Sequence, residues 1–204
     1  MIPPLCFITD AVAPLSVPDQ AEKAARGGAG WVQLRHKTLE DKAFAELARE
    51  VRTRLEPLGA KLILNDRAAL VCEVGAFGLH IGQSDGDPAA IRAQIGPDAV
   101  LGLSIEAESQ LAAVPVDAVN YLGVGPVRAT ASKPDHAVPL GFDGLAAIVR
   151  QSPLPAMAIG GLRAADVPDV QRAGCAGIAI VSAISRADDP EGAAREFVQK
   201  WSGA

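Results

Sequence analysis

Tyr121-Leu-Gly-Val-Gly-Pro-Val-Arg-Ala-Thr-Ala-Ser-Lys133 is the stretch whose reading decides the fold. It starts inside an apolar run, 118–124, that predicts a buried strand, and it breaks at Gly125-Pro126. A polar loop follows, holding two hydroxyls and two cations: Arg128, Thr130, Ser132 and Lys133. A strand that ends in Gly-Pro and then releases polar side chains is how an α/β enzyme presents chemistry at the carboxyl edge of its sheet. An ordinary surface loop can have the same composition, so the flanking sequence has to decide.

On both sides, short apolar runs alternate with segments of helical period. The runs at 5–8, 31–34, 61–64, 77–81, 99–103, 118–124, 155–159 and 177–181 read as strands. The Ala-rich amphipathic stretches at 18–26, 39–55, 67–73, 88–94, 106–112, 142–150, 164–172 and 190–201 read as helices. Glycines close several of them (Gly27, Gly59, Gly75, Gly96, Gly174), as helix ends prefer. Eight strands alternating with eight helices predict a (β/α)₈ barrel, an α/β TIM barrel, with an open doubly wound sheet as the structural alternative. No linker or shift in composition divides the chain, so a single domain over 1–204 is expected.

Composition agrees. Hydrophobic residues make up 49% of the 204 positions but aromatics only 4%, so the core is built from Val, Ile, Leu and Ala. That suits a sheet wrapped by helices better than an all-β sandwich. A formal net charge of -5 argues against nucleic acid as a partner, so any cationic cluster is local and needs its own explanation. Cys6, Cys72 and Cys175 have no metal-type spacing, and a reducing cytoplasm without structural disulfides is expected. Met1-Ile2-Pro3-Pro4 enters a strand directly, with no basic region or cleavable apolar segment, and no apolar run reaches membrane-spanning length. The expectation is a soluble cytoplasmic protein acting on small molecules, with self-association into a homo-oligomer left open.

In a barrel, function gathers after the strands. The second strand runs into Gln33-Leu34-Arg35-His36-Lys37, where alternation puts Gln33, Arg35 and Lys37 on one face. With the apolar face under the helices, the amide and two cations point to the mouth; an interior salt-bridge layer is the alternative. The third strand ends in Asn65-Asp66 and the fourth in His80-Ile81-Gly82-Gln83-Ser84-Asp85. Two acids at adjacent strand ends can share a hard cation such as Mg²⁺, which takes one or two carboxylates and completes its shell with water and phosphate oxygens. Singly, Asp66 could cap a helix and Asp85 could close a turn. The fifth strand ends at Ser104, the seventh at Gly160-Gly161, and the eighth at Val181-Ser182. Loops after the last two strands form the usual phosphate nest of this architecture.

The ordered set Ile8-Thr9-Asp10, Gln33-Leu34-Arg35-x-Lys37, Asn65-Asp66-Arg67 and His80-x-Gly82-Gln83-x-Asp85 resembles the thiamine-phosphate synthase family. It continues through Gly123-Val124-Gly125-Pro126-Val127, Lys133-Pro134-Asp135, Ala158-Ile159-Gly160-Gly161 and Val181-Ser182-Ala183-Ile184. The likeness runs nearly end to end. It implies a (β/α)₈ barrel that joins a hydroxymethylpyrimidine diphosphate to a thiazole phosphate and releases pyrophosphate by a dissociative route. It also implies that Gln33, Arg35, Lys37, Asn65, Ser104 and Lys133 hold the pyrimidine diphosphate. Arg35, Lys37, Lys133 and Ser104 would be catalytic, and Asp66 and Asp85 would bind Mg²⁺. Thr130, Ser132, Gly161, Val181 and Ser182 would hold the thiazole phosphate.

The chain departs from the family at His36, where an acid is usual, at Arg128-Ala129 in place of Phe-Pro, and at Ala131-Ser132 in place of Pro-Thr. These put the loop's conformation in question more than its chemistry. A thiazole tautomerase-type isomerase shares the fold but typically loses the metal acids, and this chain keeps both. A phosphosugar isomerase or epimerase would not need the basic Gln33-to-Lys37 arm. A non-catalytic ligand-binding relative would share the pocket.

Overall fold

The computed structural model describes residues 1–133 and 137–203. Pro134 and Asp135, which carry part of one motif above, lie outside the described residues.

Eight parallel strands close into a ring in chain order: β1 (Leu5–Ile8), β2 (Trp31–Leu34), β3 (Lys61–Asn65), β4 (Gly78–Ile81), β5 (Val100–Ile105), β6 (Tyr121–Val124), β7 (Ala156–Ile159) and β8 (Gly177–Ile180). β8 pairs with β1 at Leu5↔Ile178, Cys6↔Ala179 and Phe7↔Ile180, which rules out the open sheet. The helices are α1 (Val17–Arg26), α2 (Asp41–Leu55), α3 (Leu70–Val74), α4 (Pro88–Ile95), α5 (Gly141–Gln151), α6 (Val167–Arg172), α7 (Ser182–Ser185) and α8 (Pro190–Ser202).

Local chemistry sets the helix starts. Ser16 accepts from the Asp19 amide with Pro18 in the first turn of α1, and Asp87 accepts from the Ala90 amide at the start of α4. Each satisfies an amide that would otherwise lack a partner. On α2, Phe44, Ala48, Val51 and Leu55 repeat at helical spacing and are fully buried against the barrel. Burying a side chain the size of Phe44 contributes about 1.5–3 kcal/mol.

Two apolar layers result. One lies between sheet and helices; the other plugs the barrel with Cys6, Ile8, Trp31, Ile63, Tyr121, Met157 and Ala179. Within the plug, the Trp31 and Tyr121 rings sit 5.3 Å apart, centre to centre.

The structure corrects four details. β5 runs on to Ile105, so Ser104 is a strand residue rather than the strand's end. The expected fifth helix is a 3-10 segment, Glu108–Ala113, ended by Pro115. Ala118 and Val119 are buried but lie outside the strand, which begins only at Tyr121, because their amides bond back to the Pro115 carbonyl. The helix expected from 67 begins only at Leu70, since the Arg67 and Ala68 amides bond two residues back to Asn65 and Asp66.

Candidate active site

A cavity of about 570 Å³ opens at the carboxyl ends of the strands. Every residue expected at the site lines it: Gln33, Arg35 and Lys37; Asn65, Asp66 and Asp85; Ser104; Thr130, Ser132 and Lys133; Gly161, Val181 and Ser182. Residues spread over 150 positions of sequence are thus brought to one mouth, a size and shape typical of small-molecule sites. In a ring of eight, β3 and β4 stand across from β7 and β8. The carboxylates and the Gly-Gly turn therefore face each other.

The arm after β2 is held from β1. Thr9 Oγ1 accepts from the Arg35 amide at 3.0 Å and donates to the Arg35 carbonyl at 3.3 Å. Asp10 pairs with Arg186 Nη2 at 3.1 Å, tying the first loop to the segment after α7. That accounts for two residues of the Ile-Thr-Asp motif by position alone.

Asp66 has φ 62°, the one non-glycine residue with positive φ among the described residues. Aspartate tolerates this left-handed conformation better than most residues, at some cost in strain. Since α3 begins only at Leu70, with Ala69 in the cap position, the helix-cap reading of Asp66 is overturned. Its carboxylate takes hydrogen bonds from Lys37 Nζ and Asn65 Nδ2. Burial raises the Asp66 pKa above the usual carboxylate value; Lys37 opposes this, and the neighbouring Asp85 adds to it. On Asp85 burial also works against the charge, but the bond to Asp66 and the Gly82 amide outweigh it and hold the group low. Asp85 accepts that amide at 2.6 Å, so it does close a turn, while Asp87 does the helix capping. Two carboxylates this close repel unless a proton or cation lies between them. Lys37 supplies that charge here, and the paired oxygens are a donor set that a hard divalent cation suits.

Across the mouth, Gly160 and Gly161 have φ of 100° and 64°. A Cβ on Gly161 would lie 2.6 Å from the Ala129 carbonyl oxygen and 2.8 Å from Arg128 Cβ. The glycine is thus required by the loop after β6 as well as by any ligand. That loop is stapled to the loop after β7. The Arg128 amide donates to the Gly160 carbonyl at 3.0 Å, and its guanidinium bonds buried Asp166 at 2.9 Å while lying 5.2 Å over the Phe142 ring. Asp166 also accepts the Arg163 amide at 2.8 Å. The unusual Arg128 therefore anchors the loop instead of loosening it. Beyond it, the Ser132 amide donates to Thr130 Oγ1 at 3.2 Å. The four-residue α7 begins at Ser182, beside the Gly-Gly turn in the cavity wall.

Three further groups shape the cavity, of which only Glu106 lies outside the sequence motifs. Glu106 lines the cavity and holds Lys133 Nζ at 2.8 Å; no spacing signalled it. Gln83 Nε2 donates to the Ser104 carbonyl at 2.6 Å. His80 bonds Tyr121 Oη at 2.9 Å and Ser104 Oγ at 3.0 Å. Burial pushes His80 down to about 4, so it is neutral near pH 7. Burial likewise raises Tyr121 well above its ordinary value and Cys6 up to about 12, leaving that thiol inert.

Comparison with known proteins bears on this mouth. A family model described as thiamine monophosphate synthase matches residues 5–184. The thiamine-phosphate synthase of Azorhizobium caulinodans is 44% identical over 177 residues, covering 87% of this chain and 84% of its own. That of Solidesulfovibrio magneticus is 45% identical over 197 residues, covering 96% and 93%. A thiamine phosphate pyrophosphorylase from Pyrococcus furiosus superposes with a TM-score of 0.88 at 26% identity, covering 98% of this chain and 95% of its own. A 3-hexulose-6-phosphate synthase from Salmonella typhimurium, with a TM-score of 0.76 at 14% identity, shares the fold alone.

Proposed function

Because the chain belongs to the thiamine monophosphate synthase family, we propose that the cavity at its barrel mouth is where that family's two substrates meet. The chain is a transferase: it condenses 4-amino-2-methyl-5-(diphosphooxymethyl)pyrimidine with 4-methyl-5-(2-phosphoethyl)thiazole to give thiamine phosphate and pyrophosphate. The assignment of roles within the cavity is our reading. The observation that supports it is that one cavity carries a cationic arm and two carboxylates after β2, β3 and β4 and, on the facing arc, a backbone Gly-Gly turn after β7.

On this reading Arg35, Lys37, Lys133 and Ser104 hold the diphosphate, while Gln33 and Asn65 hold the pyrimidine end. Thr130, Ser132, Gly161, Val181 and Ser182 hold the thiazole phosphate. Asp66 and Asp85 would hold Mg²⁺, which when bound supplies positive charge beside the diphosphate oxygens. The methylene C–O bond breaks with its electron pair leaving on pyrophosphate, and the thiazole nitrogen then donates its lone pair to form the C–N bond. Neither step needs a general acid or base. What the chain's residues supply is orientation and charge to meet the growing negative charge on the leaving oxygen. A close cation–anion pair is worth about 4 kcal/mol at an effective dielectric near 20. Several such pairs, reduced by competition with water, reach the range of about 8–23 kcal/mol that enzymes supply.

No helix among the described residues is long and apolar enough to cross a membrane. The three cysteines are unpaired, in keeping with a reducing cytoplasm as the working compartment. We take the whole of 1–204 as one domain.

The deciding experiment incubates purified protein with both substrates and Mg²⁺. Pyrophosphate and thiamine phosphate should appear in equal amounts. Binding of both substrates without either product would make the chain a binding protein and overturn the assignment.

A further inference from the structure

We infer that His80 is a positioning residue for Ser104: held between Tyr121 and Ser104, its imidazole donates from Nε2 and leaves the Ser104 O–H free to donate into the cavity, toward the pyrimidine diphosphate. The inference rests on the reading of Ser104 as a substrate contact.

The argument begins with the two hydroxyls. Tyr121 Oη lies 2.9 Å from Nδ1, and Ser104 Oγ lies 3.0 Å from Nε2. A neutral imidazole carries one N–H, so one hydroxyl must donate to it and the other must accept. The surroundings decide which. Tyr121 is 2% exposed in the apolar plug, and among the described residues its hydroxyl has no bonding partner other than His80. If Nδ1 carried the proton, the phenol O–H would point into the plug with no acceptor and bear the full desolvation penalty. If instead the phenol donates to Nδ1, the proton sits on Nε2 and is given to Ser104 Oγ. Ser104 borders the cavity, so its own O–H has somewhere to go.

The ring is also held in place. A Cβ on Gly102 would lie 2.2 Å from Tyr121 Cζ and 2.5 Å from His80 Nδ1, and one on Gly123 would lie 2.8 Å from His80 Cε1. β5 and β6 thus each give up a side chain so that imidazole and phenol can fill the space. A hydroxyl that rotates freely donates or accepts as solvent dictates; one whose oxygen already accepts from Nε2–H is biased toward donation. Such a donor, fixed beforehand where negative charge builds up, needs no reorganisation during the reaction.

The test is a double-mutant cycle read in kcat, supported by histidine NMR. Ser104→Ala should lower kcat on the order of a hundredfold, as loss of one preorganised donor does. His80→Gln and Tyr121→Phe should each lower kcat while leaving the KM for thiazole phosphate unchanged. In the Ser104→Ala background, neither should have any further effect on kcat. Independent, multiplying effects would overturn the inference and leave the Ser104 reading standing. A fully active Ser104→Ala enzyme would instead sink the Ser104 reading beneath it. Should His80→Gln not fold, ¹⁵N spectra of the wild type decide, since only three histidines need assigning. Protonation at Nε2 of His80 supports the inference, and protonation at Nδ1 overturns it.

Discussion

Keeping His80 neutral should give the protein a measurable slope of stability against pH. Burial lowers this imidazole from 6.5 to about 4. Between those values the unfolded chain takes up a proton that the folded chain refuses, so stability falls as pH drops through that window. A tenfold change in proton affinity corresponds to about 1.4 kcal/mol, so the fall is about 2 kcal/mol between pH 7 and 5, and about 3 kcal/mol by pH 4. The perturbation is His80→Gln, which cannot titrate. Urea denaturation of both proteins at several pH values from 7 to 5, with chelator present, gives two lines. Asp66 and Asp85 are present in both proteins, so most of their own contribution is common to the two lines, and Asp85, held low, stays charged across this window. The variant should be the less stable at pH 7, and the gap should close by about 2 kcal/mol at pH 5. Parallel lines would show that His80 protonates as freely folded as unfolded, and the reasoning would fail.

Four further outcomes are expected. Asp85→Ala should keep its fold but lose most activity and need more Mg²⁺; if Asp85 only closes its turn, the variant loses about 1 kcal/mol of stability and stays active. Arg128→Ala removes a charge-assisted bond to buried Asp166, at the low end of about 1.5–3 kcal/mol because the arginine is 45% exposed. The KM for thiazole phosphate should therefore rise about tenfold, with that for the pyrimidine unchanged; an equal rise in both would point to a general folding defect. Gly161→Val should push the Ala129 carbonyl away and weaken thiazole phosphate binding selectively, which separate titrations of each ligand would show. Glu106→Gln frees Lys133 from an exposed pair worth about 0.2–1 kcal/mol, so pyrimidine diphosphate should bind up to about fivefold tighter, and unchanged or weaker binding would argue against it.

The barrel was legible because its strands are apolar runs whose order and punctuation have few other solutions. β1 and β2 fall where the sequence put them, and β3 differs by one residue. The misplacements share one cause. At Ala118 and Val119, apolar character reports burial, and a turn hung on Pro115 is as buried there as a strand. Likewise the helical pattern from 67 could not reveal that Asp66 takes a left-handed backbone and delays the helix to Leu70. For the site, residues following strand ends were readable because the architecture sends them to one edge. Asp166 and Tyr121 were not. Asp166 meets Arg128 from 38 residues away, and Tyr121 meets His80 from 41 away, inside the plug. Contacts of that kind leave no mark on local periodicity.

A chain of net charge -5 that binds two phosphorylated substrates has to handle its own acids, and the structure shows how. Two of the three cations assigned to the diphosphate rest on carboxylates of the same mouth: Lys37 on Asp66, and Lys133 on Glu106. Unpaired, those acids would repel an incoming polyanion; unpaired, the lysines would hold any passing anion. On the proposed reading, a diphosphate arriving with a divalent cation carries a partner for each side of the Lys37–Asp66 pair. Its oxygens suit the lysine, and its cation suits the two aspartates. One ion pair is then exchanged for two. A diphosphate without the cation would have to strip Lys37 from Asp66 and leave two carboxylates facing each other with nothing between them, where burial already raises the Asp66 pKa and Asp85 adds to the rise. Metal and substrate should therefore bind as a unit. The resting lysine pair is what makes either one alone a poor ligand.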